Sequence, residues 1–161
     1  MVVFGIDPGT AITGYSVLDE LPGGEIKVIE YGVIRTPAHE KQDLRLKELF
    51  NQLTKLIDLH RPSSCAVEKL FFQKNVKTAI SVGQARGVLI LAAAGLSQPP
   101  FEYSPLQIKM SVTGYGRASK LQVQEMTKVL LGLERIPQPD HAADALAVAI
   151  CHAHNHNSAL A

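Results

Sequence analysis

Two carboxylates in this sequence directly follow runs that are typical of buried strands. Asp7 comes after the apolar run Val2 to Ile6, and Glu68 comes after Cys65 to Val67. Each has an ordinary explanation on its own, because Asp before Pro-Gly commonly forms a turn and Glu at a strand end is commonly solvated. Carboxylate oxygens are also the ligands that Mg²⁺ and Mn²⁺ prefer. Both side chains are therefore candidate metal ligands.

A histidine and a further acid lie three residues apart near the C-terminus. His141 and Asp144 fall at the start of a helical pattern, so this spacing puts both on one face. A surface histidine and an aspartate that complements the positive helix N-terminus are the alternatives. Asp144 lies among alanines and a leucine, however, and an acid in a closely packed helix needs a partner.

Together the four side chains could hold two divalent ions beside one phosphodiester. One ion would activate a water molecule and the other would stabilise the leaving oxygen. Imidazole is a softer ligand than carboxylate and suits Mn²⁺ at least as well as Mg²⁺, so the preferred ion stays open.

The elements that must position these residues are strands followed by helices. Turn residues and β-branched runs predict strands at Val2 to Ile6, Gly14 to Leu18, Ile26 to Ile34, Cys65 to Val67 and Phe101 to Tyr103. Helical periodicity predicts helices from Leu46 to before Pro62, Val76 to Leu96, Lys120 to Leu133 and His141 to His152. This order favours an α/β fold in which helices flank a mixed five-stranded sheet.

Length and composition indicate one domain. The chain has 161 residues, of which 46% are hydrophobic and 19% charged, which excludes disorder and leaves room for one core. We expect a single domain over residues 1–154 and a frayed tail over 155–161. The longest uncharged apolar stretch, Gly87 to Leu96, is shorter than the roughly 18 residues of a membrane span, so none is predicted. Cys65 and Cys151 form no CxxC pair, which favours reduced, buried thiols and a cytoplasmic protein.

A cationic and aromatic segment follows the second carboxylate. Lys69, Lys74 and Lys77 surround Phe71 and Phe72, a composition that offers both phosphate contacts and base stacking. The alternative is that both phenylalanines belong to the core. Because the formal net charge is only +1, any nucleic-acid binding must depend on such local basic surfaces.

A second basic group surrounds a glycine pair. Lys109, Arg117 and Lys120 flank Gly114-Tyr115-Gly116, where backbone N–H groups and flexible cations could meet a phosphate. Arg86, by contrast, lies inside an apolar helical pattern and is predicted to be a structural ion-pair or cap residue rather than a DNA ligand.

Four motifs together resemble the RuvC family of bacterial Holliday junction resolvases. They are Gly5-Ile6-Asp7-Pro8-Gly9-Thr10 with Thr13-Gly14-Tyr15, Ala66-Val67-Glu68, Val82-Gly83-Gln84-Ala85-Arg86-Gly87, and Asp140-His141-Ala142-Ala143-Asp144-Ala145-Leu146-Ala147. The resemblance covers nearly the whole chain. It implies a ribonuclease H-like fold and a homodimeric, metal-dependent endonuclease that nicks two symmetric strands of a four-way DNA junction in recombination and repair.

The resemblance also implies roles for individual residues. The metal pair, Mg²⁺ or Mn²⁺, would be held by Asp7, Glu68, His141 and Asp144. Phe71 would stack on bases at the junction centre, and the lysines at 109 and 120 would contact the DNA backbone. Some members of the family carry Asp where His141 stands. The family further suggests the branch-migration proteins RuvA and RuvB as partners.

Two other functions compete with this interpretation. The pattern Asp7-x-Gly9-Thr10-x-x-x-Gly14 resembles the ATP-binding hairpin of the actin and sugar-kinase superfamily, which uses two such domains. This chain is long enough for only one. A non-catalytic module that binds junctions would need the basic segments alone, but it would leave the acids and the histidine without a role.

The segment from Val76 to Leu96 has more apolar residues than one buried stripe requires. A second buried surface is therefore predicted, formed with the same helix of a second subunit. We expect this interface to be centred on the face that carries Val82, Leu89 and Ala93, although periodicity alone does not decide which apolar face meets the core and which meets the partner.

Overall fold

Five strands form one mixed sheet in the order β3-β2-β1-β4-β5. This computed structural model describes residues 1–69 and 76–158. The strands are β1 (Val2–Asp7), β2 (Ile12–Glu20), β3 (Ile26–Arg35), β4 (Ser64–Glu68) and β5 (Phe101–Tyr103). The helices are α1 (Gln42–His60), α2 (Val76–Ala92), α3 (Pro105–Thr113), α4 (Lys120–Leu130) and α5 (Asp140–Ser158). The predicted mixed five-stranded sheet flanked by helices is confirmed.

Pairing within the sheet follows from the lengths of the connections. Short turns join β1, β2 and β3, which pair antiparallel. The connections from β3 to β4 and from β4 to β5 contain α1 and α2, and crossovers of that length allow β4 to pair parallel with β1 and with β5. The central strand is therefore β1, with neighbours on both sides.

The alternation of side chains along β1 and β4 divides the core into two halves. Phe4, Ile6, Cys65 and Val67 point to the face covered by α1 and α2. The residues between them, such as Val3 and Ala66, point to the face covered by α3, α4 and α5. Every second residue therefore faces α5.

Two glycines let α5 lie directly on the sheet. A Cβ atom at Gly5 would come within 2.4 Å of the Ala145 carbonyl oxygen, and one at Gly14 within 1.8 Å of the His141 carbonyl oxygen. Any side chain at either position would push the helix away. The glycines of the first motif thus fix the distance between the N-terminal part of α5 and the ends of β1 and β2.

The two cysteines lie in different halves of the core. Cys65 belongs to the cluster under α1 and α2, and Cys151 belongs to the cluster under α5. Both are free and fully buried, and burial raises the pKa of the Cys65 thiol to about 12. The predicted pair of reduced, buried thiols is confirmed.

The prediction missed one helix, α3. Ser104 begins it with a capping box, in which its hydroxyl accepts from the Gln107 backbone and the Gln107 side chain accepts from the Ser104 backbone. Pro105 occupies the first turn. The sequence Ser-Pro-Leu-Gln carries this signal, but the helix is nine residues long and its apolar periodicity is weak.

Helix α5 continues past its predicted end at His152 to Ser158, so part of the predicted frayed tail is helical. The rings of His152 and His156 lie 5.4 Å apart, and His156 meets Phe101 edge-on at 6.2 Å. These ring contacts, one turn apart, attach the last turns to β5. Residues 159–161 lie outside the described part of the chain.

The face of α2 that packs into the core is the one that was predicted to form the subunit interface. Ala85, Leu89 and Ala93 are each 1% exposed and lie in the core under α1, so the prediction that Leu89 and Ala93 centre an intermolecular interface is wrong. Apolar periodicity alone could not tell the two apolar faces apart. Ala93 begins a 3-10 turn, Ala93–Gly95, that ends the helical segment.

The helical segment Val76–Gly95 is long and apolar enough to cross a membrane, judged by length and composition only. The uncharged stretch from Gly87 to Leu96, on which the sequence prediction depended, covers only the second half of this segment. Within this fold the buried stripe of the segment belongs to the core, while the rest of its apolar surface is largely exposed.

Candidate active site

Asp7 and Glu68 meet at one edge of the sheet because they end neighbouring parallel strands. Ile6 pairs with Val67 in register, so the two carboxylates are the next residues on each strand. Alternation turns both toward the face covered by α5, since Ile6 and Val67 point to the opposite face. The positions predicted from the sequence thus converge through strand register.

The first turn of α5 brings two more polar groups to this edge. His141 Nδ1 lies 2.7 Å from Asp7 Oδ2, within hydrogen-bond distance. Ligand atoms of Asp7, His141 and Asp144 all lie within 4.8 Å of one another. Asp7 is largely buried, with 15% of its side chain exposed, whereas His141 is 44% exposed. The cluster is therefore open to solvent on the histidine side.

Glu68 and Asp144 line a pocket of about 200 Å³ beside this cluster. Lys109 and Lys120 line the same pocket, and Lys120 Nζ lies 3.1 Å from Asp144 Oδ2. The remaining walls are apolar and are formed by Pro105, Ile108, Val123, Ala147 and Val148. An acidic centre with two cations at its margin is suited to a phosphodiester, whose own charge the cations attract.

Comparison with known proteins identifies the family. The family profile described as "Crossover junction endodeoxyribonuclease RuvC" matches residues 3–152. The chain belongs to the RuvC family. Its predicted class, an endonuclease of that family, is confirmed.

Relatives in the RuvC family match over nearly their whole length. The chain is 56% identical over 155 residues to RuvC of Heliobacterium modesticaldum, covering 96% of this chain and 95% of the relative. It is 52% identical over 160 residues to RuvC of Caldicellulosiruptor saccharolyticus, covering 99% and 96%.

Solved structures confirm the ribonuclease H-like arrangement of this family. The structure named "T. thermophilus RuvC in complex with Holliday junction substrate" superposes with a TM-score of 0.93 at 33% identity, covering 99% of this chain and 96% of that one. The yeast mitochondrial resolvase Ydc2 has a TM-score of 0.68 at 15% identity, covering 94% and 78%, and shows the shared fold alone.

RuvC enzymes depend on divalent metals, and the donor set here fits such an ion. Asp7, His141 and Asp144 present two carboxylates and one imidazole within a span that a single cation could bridge. The Asp7 carboxylate is mostly buried and therefore poorly solvated. A bound cation would compensate its negative charge. The sequence-predicted ligands are thus brought together, with Glu68 on the adjoining strand.

The electrostatics of the cluster favour the binding of a cation. Burial raises the pKa of Asp7 above its usual range, the hydrogen bond from His141 opposes this effect, and the charge of Asp144 adds to it. Burial also raises the pKa of Glu68 to about 7, and the charges of Asp7 and Asp144 add to that shift. Carboxylates crowded in this way release their protons most readily when a cation binds.

Glu68 should therefore weaken the metal-free fold at neutral and alkaline pH. Its pKa of about 7 lies above the ordinary value of 4.5, so between these values the folded chain binds the extra proton. The free energy of unfolding then falls as pH rises through this window. We expect Glu68→Gln to be more stable than the parent above pH 7, by about 1–2 kcal/mol after solvent screening.

Denaturant unfolding in the presence of a chelator measures this difference. The gap should close as the pH falls toward 4.5, and Glu125→Gln, which replaces an exposed glutamate of α4, should show no such gap. A pH-independent difference between Glu68→Gln and the parent would contradict the assignment.

Two of the remaining predicted contact residues are exposed, and two lie outside the described part of the chain. Arg117 is exposed on the turn between α3 and α4, and Lys77 is exposed in the first turn of α2. Phe71 and Lys74 lie outside the described residues, so their roles stay predictions. Arg86 forms an ion pair with Glu102 of β5, which confirms its predicted structural role.

Asp140 was missed as a member of this site. Its Oδ2 lies 3.4 Å from Lys120 Nζ, and its Oδ1 accepts a hydrogen bond from the Gln124 side chain at 3.2 Å. The residue is visible in the sequence as the first letter of the fourth motif. Its partners are 16 and 20 residues away on another helix, so no local pattern indicated them.

Proposed function

We propose that this enzyme resolves Holliday junctions by paired, symmetric hydrolysis of two DNA strands, with two Mg²⁺ or Mn²⁺ ions in each active site. The convergence of Asp7, Glu68, His141 and Asp144 at one sheet edge, in a chain of the RuvC family, is the observation that carries this proposal. The Thermus thermophilus relative bound to a Holliday junction substrate supports the same DNA partner.

The acids and the histidine have a different role from the lysines. When bound, the ions would supply an activated water and stabilise the leaving oxygen. Asp7, Glu68, His141 and Asp144 would hold those ions at the end of the sheet. The neighbouring pocket has apolar walls and two lysines at its margin, and the lysine charges would attract a phosphate.

The DNA surface extends from the pocket over both basic segments. One part of this surface lies on α3, α4 and the turn between them, and it carries Lys109, Arg117 and Lys120. These cations would position the phosphate backbone without reading sequence. Lys77 lies in the first turn of α2, and Phe71 and Lys74 precede it in the sequence. We assign Phe71 to base stacking at the junction centre and the lysines to phosphates.

A second subunit would cover the exposed face of α2. Val76, Ile80 and Leu91 are 70%, 57% and 63% exposed, which is unusual for large apolar residues on one helix. Gly83 and Gly87 lie on the same exposed side, and a Cβ atom at either would meet no atom within 4 Å. Two copies of this face could pack closely about a two-fold axis, and such a dimer would direct one active site to each of two equivalent strands.

Two broader assignments follow from the family. RuvA and RuvB are the proposed partners that move the junction before it is cut. A cytoplasmic location, where bacterial DNA is processed, agrees with two thiols kept reduced by burial.

His141 should influence which ion supports cleavage. Neutral imidazole is a softer ligand than carboxylate, so its replacement by a harder ligand should shift activity from Mn²⁺ toward Mg²⁺. We expect His141→Asp to lower the ratio of Mn²⁺-supported to Mg²⁺-supported cleavage rates severalfold while nicking continues. Rates measured at saturating concentrations of each ion test this, and an unchanged ratio would exclude His141 as a ligand.

Calorimetric titration separates this function from the ATP-binding and non-catalytic alternatives. Mn²⁺ should bind the metal-free protein, and Asp7→Asn should lose that binding. ATP binding without metal would support the kinase-like alternative, and junction binding by a protein that takes up no metal would support the non-catalytic one.

A further inference from the structure

Lys120 occupies a position that its own helix disfavours. Ser119 caps α4, accepting from the Gln122 backbone, so Lys120 is the first residue of the helix. The N-terminus of a helix carries partial positive charge, and a lysine there is electrostatically unfavourable. Negative charges outside α4 would offset this unfavourable interaction.

Two carboxylates of α5 supply that compensation. Lys120 Nζ lies 3.1 Å from Asp144 Oδ2 and 3.4 Å from Asp140 Oδ2. Only Asp144 belongs to the cluster of candidate metal ligands. The lysine is therefore shared between a candidate metal ligand and a neighbouring carboxylate outside that cluster.

Asp140 is itself fixed by the helix that carries the lysine. Gln124, one turn after Lys120 on α4, donates its side-chain amide to Asp140 Oδ1 at 3.2 Å. Gln124 is 8% exposed, so its position is set by packing. Asp140 thus presents one oxygen to the amide and the other to the ammonium group, and its carboxylate is oriented although it is exposed.

We propose that Asp140 is a positioning residue that retains Lys120 at the margin of the catalytic pocket when a cation binds Asp144. This rests on the proposed metal-dependent function. Without a metal, the ammonium group neutralises part of the charge on Asp144. A divalent cation on Asp144 would repel the ammonium group and weaken that contact, whereas the contact with Asp140 would keep Lys120 beside the pocket. The hydrogen bond from Gln124 holds the Asp140 carboxylate in the orientation that meets Lys120.

The proposal predicts how metal affinity depends on the two residues together. In Asp140→Asn the amide oxygen can still accept from Gln124, but the charge that retains Lys120 is lost. The lysine then pairs with Asp144 alone and opposes the incoming cation. We expect Mn²⁺ affinity, measured by calorimetry without DNA, to fall about threefold in Asp140→Asn.

A double-mutant cycle with Lys120→Met isolates the coupling. Lys120→Met alone should bind Mn²⁺ more tightly than the parent, because the competing cation is gone. Adding Asp140→Asn to Lys120→Met should then change the affinity clearly less than it does in the parent. Thermal unfolding of all four proteins in chelator checks that each is folded at the temperature of the titration.

The outcomes distinguish this proposal from the proposed function. An equal loss of affinity in both backgrounds, or no loss in either, would overturn the positioning role while leaving the metal site intact. A parent protein that binds no Mn²⁺ would overturn the metal-dependent function itself, and the positioning role with it. An effect that depends on Lys120 supports the positioning role, since a merely structural Asp140 would act regardless of the residue at position 120.

Discussion

Replacing Asp7 by asparagine is expected to reduce junction cleavage to background while leaving junction binding unchanged or slightly tighter. Asp7 is the most buried member of the ligand cluster and lies within 4.8 Å of the ligand atoms of His141 and Asp144. Loss of a metal ligand should cost several kcal/mol of transition-state stabilisation, on the order of a thousandfold in rate. The substitution leaves the basic segments that we propose to bind DNA unchanged. It also removes a negative charge that repels DNA in the parent protein.

Cleavage and gel-shift measurements on one synthetic four-way junction check both halves of this expectation. Asp58→Asn is a suitable control, because Asp58 is an exposed aspartate on α1, the helix on the opposite face of the sheet. The control should cut at the parental rate. Persisting cleavage by Asp7→Asn, or a loss of binding equal to the loss of cleavage, would count against the site.

Leu89 and Leu91 should respond in opposite ways to the same substitution. Leu89 is 1% exposed and Leu91 is 63% exposed, although both belong to α2. Truncating a core leucine to alanine costs about 2–5 kcal/mol, and burying an unpaired charge adds to that. We expect Leu89→Glu to unfold the chain. Leu91→Glu should give a folded protein that sediments as a monomer and makes only single, uncoupled nicks.

Circular dichroism and analytical ultracentrifugation distinguish these outcomes. A folded Leu89→Glu protein would contradict its placement in the core. A dimeric Leu91→Glu protein would exclude the exposed face of α2 as the subunit interface.

The positions of Asp7 and Glu68 could be predicted because strand geometry is local. Both residues directly follow short apolar strands, and the period of two decides which face each side chain takes. The spacing of His141 and Asp144 on one helix is likewise a local property. The fold adds the register between strands and the docking of α5 through Gly5 and Gly14, which no single segment contains.

The features that escaped prediction depend on contacts between distant segments. Whether Leu89 or Leu91 faces the core depends on where α2 lies against α1, and the apolar pattern of this helix allows several faces. Asp140 gains its role from Lys120 and Gln124, which α4 brings to it. Such pairings arise only when two helices pack.

Cleavage of a mobile synthetic Holliday junction, with and without Mn²⁺, tests the central claim most directly. Strands labelled one at a time show where each is cut. Nicks are expected at equivalent positions in two strands of like polarity, in equal amounts and only when the ion is present. Cleavage in chelator, or cuts confined to one strand or placed asymmetrically, would contradict it.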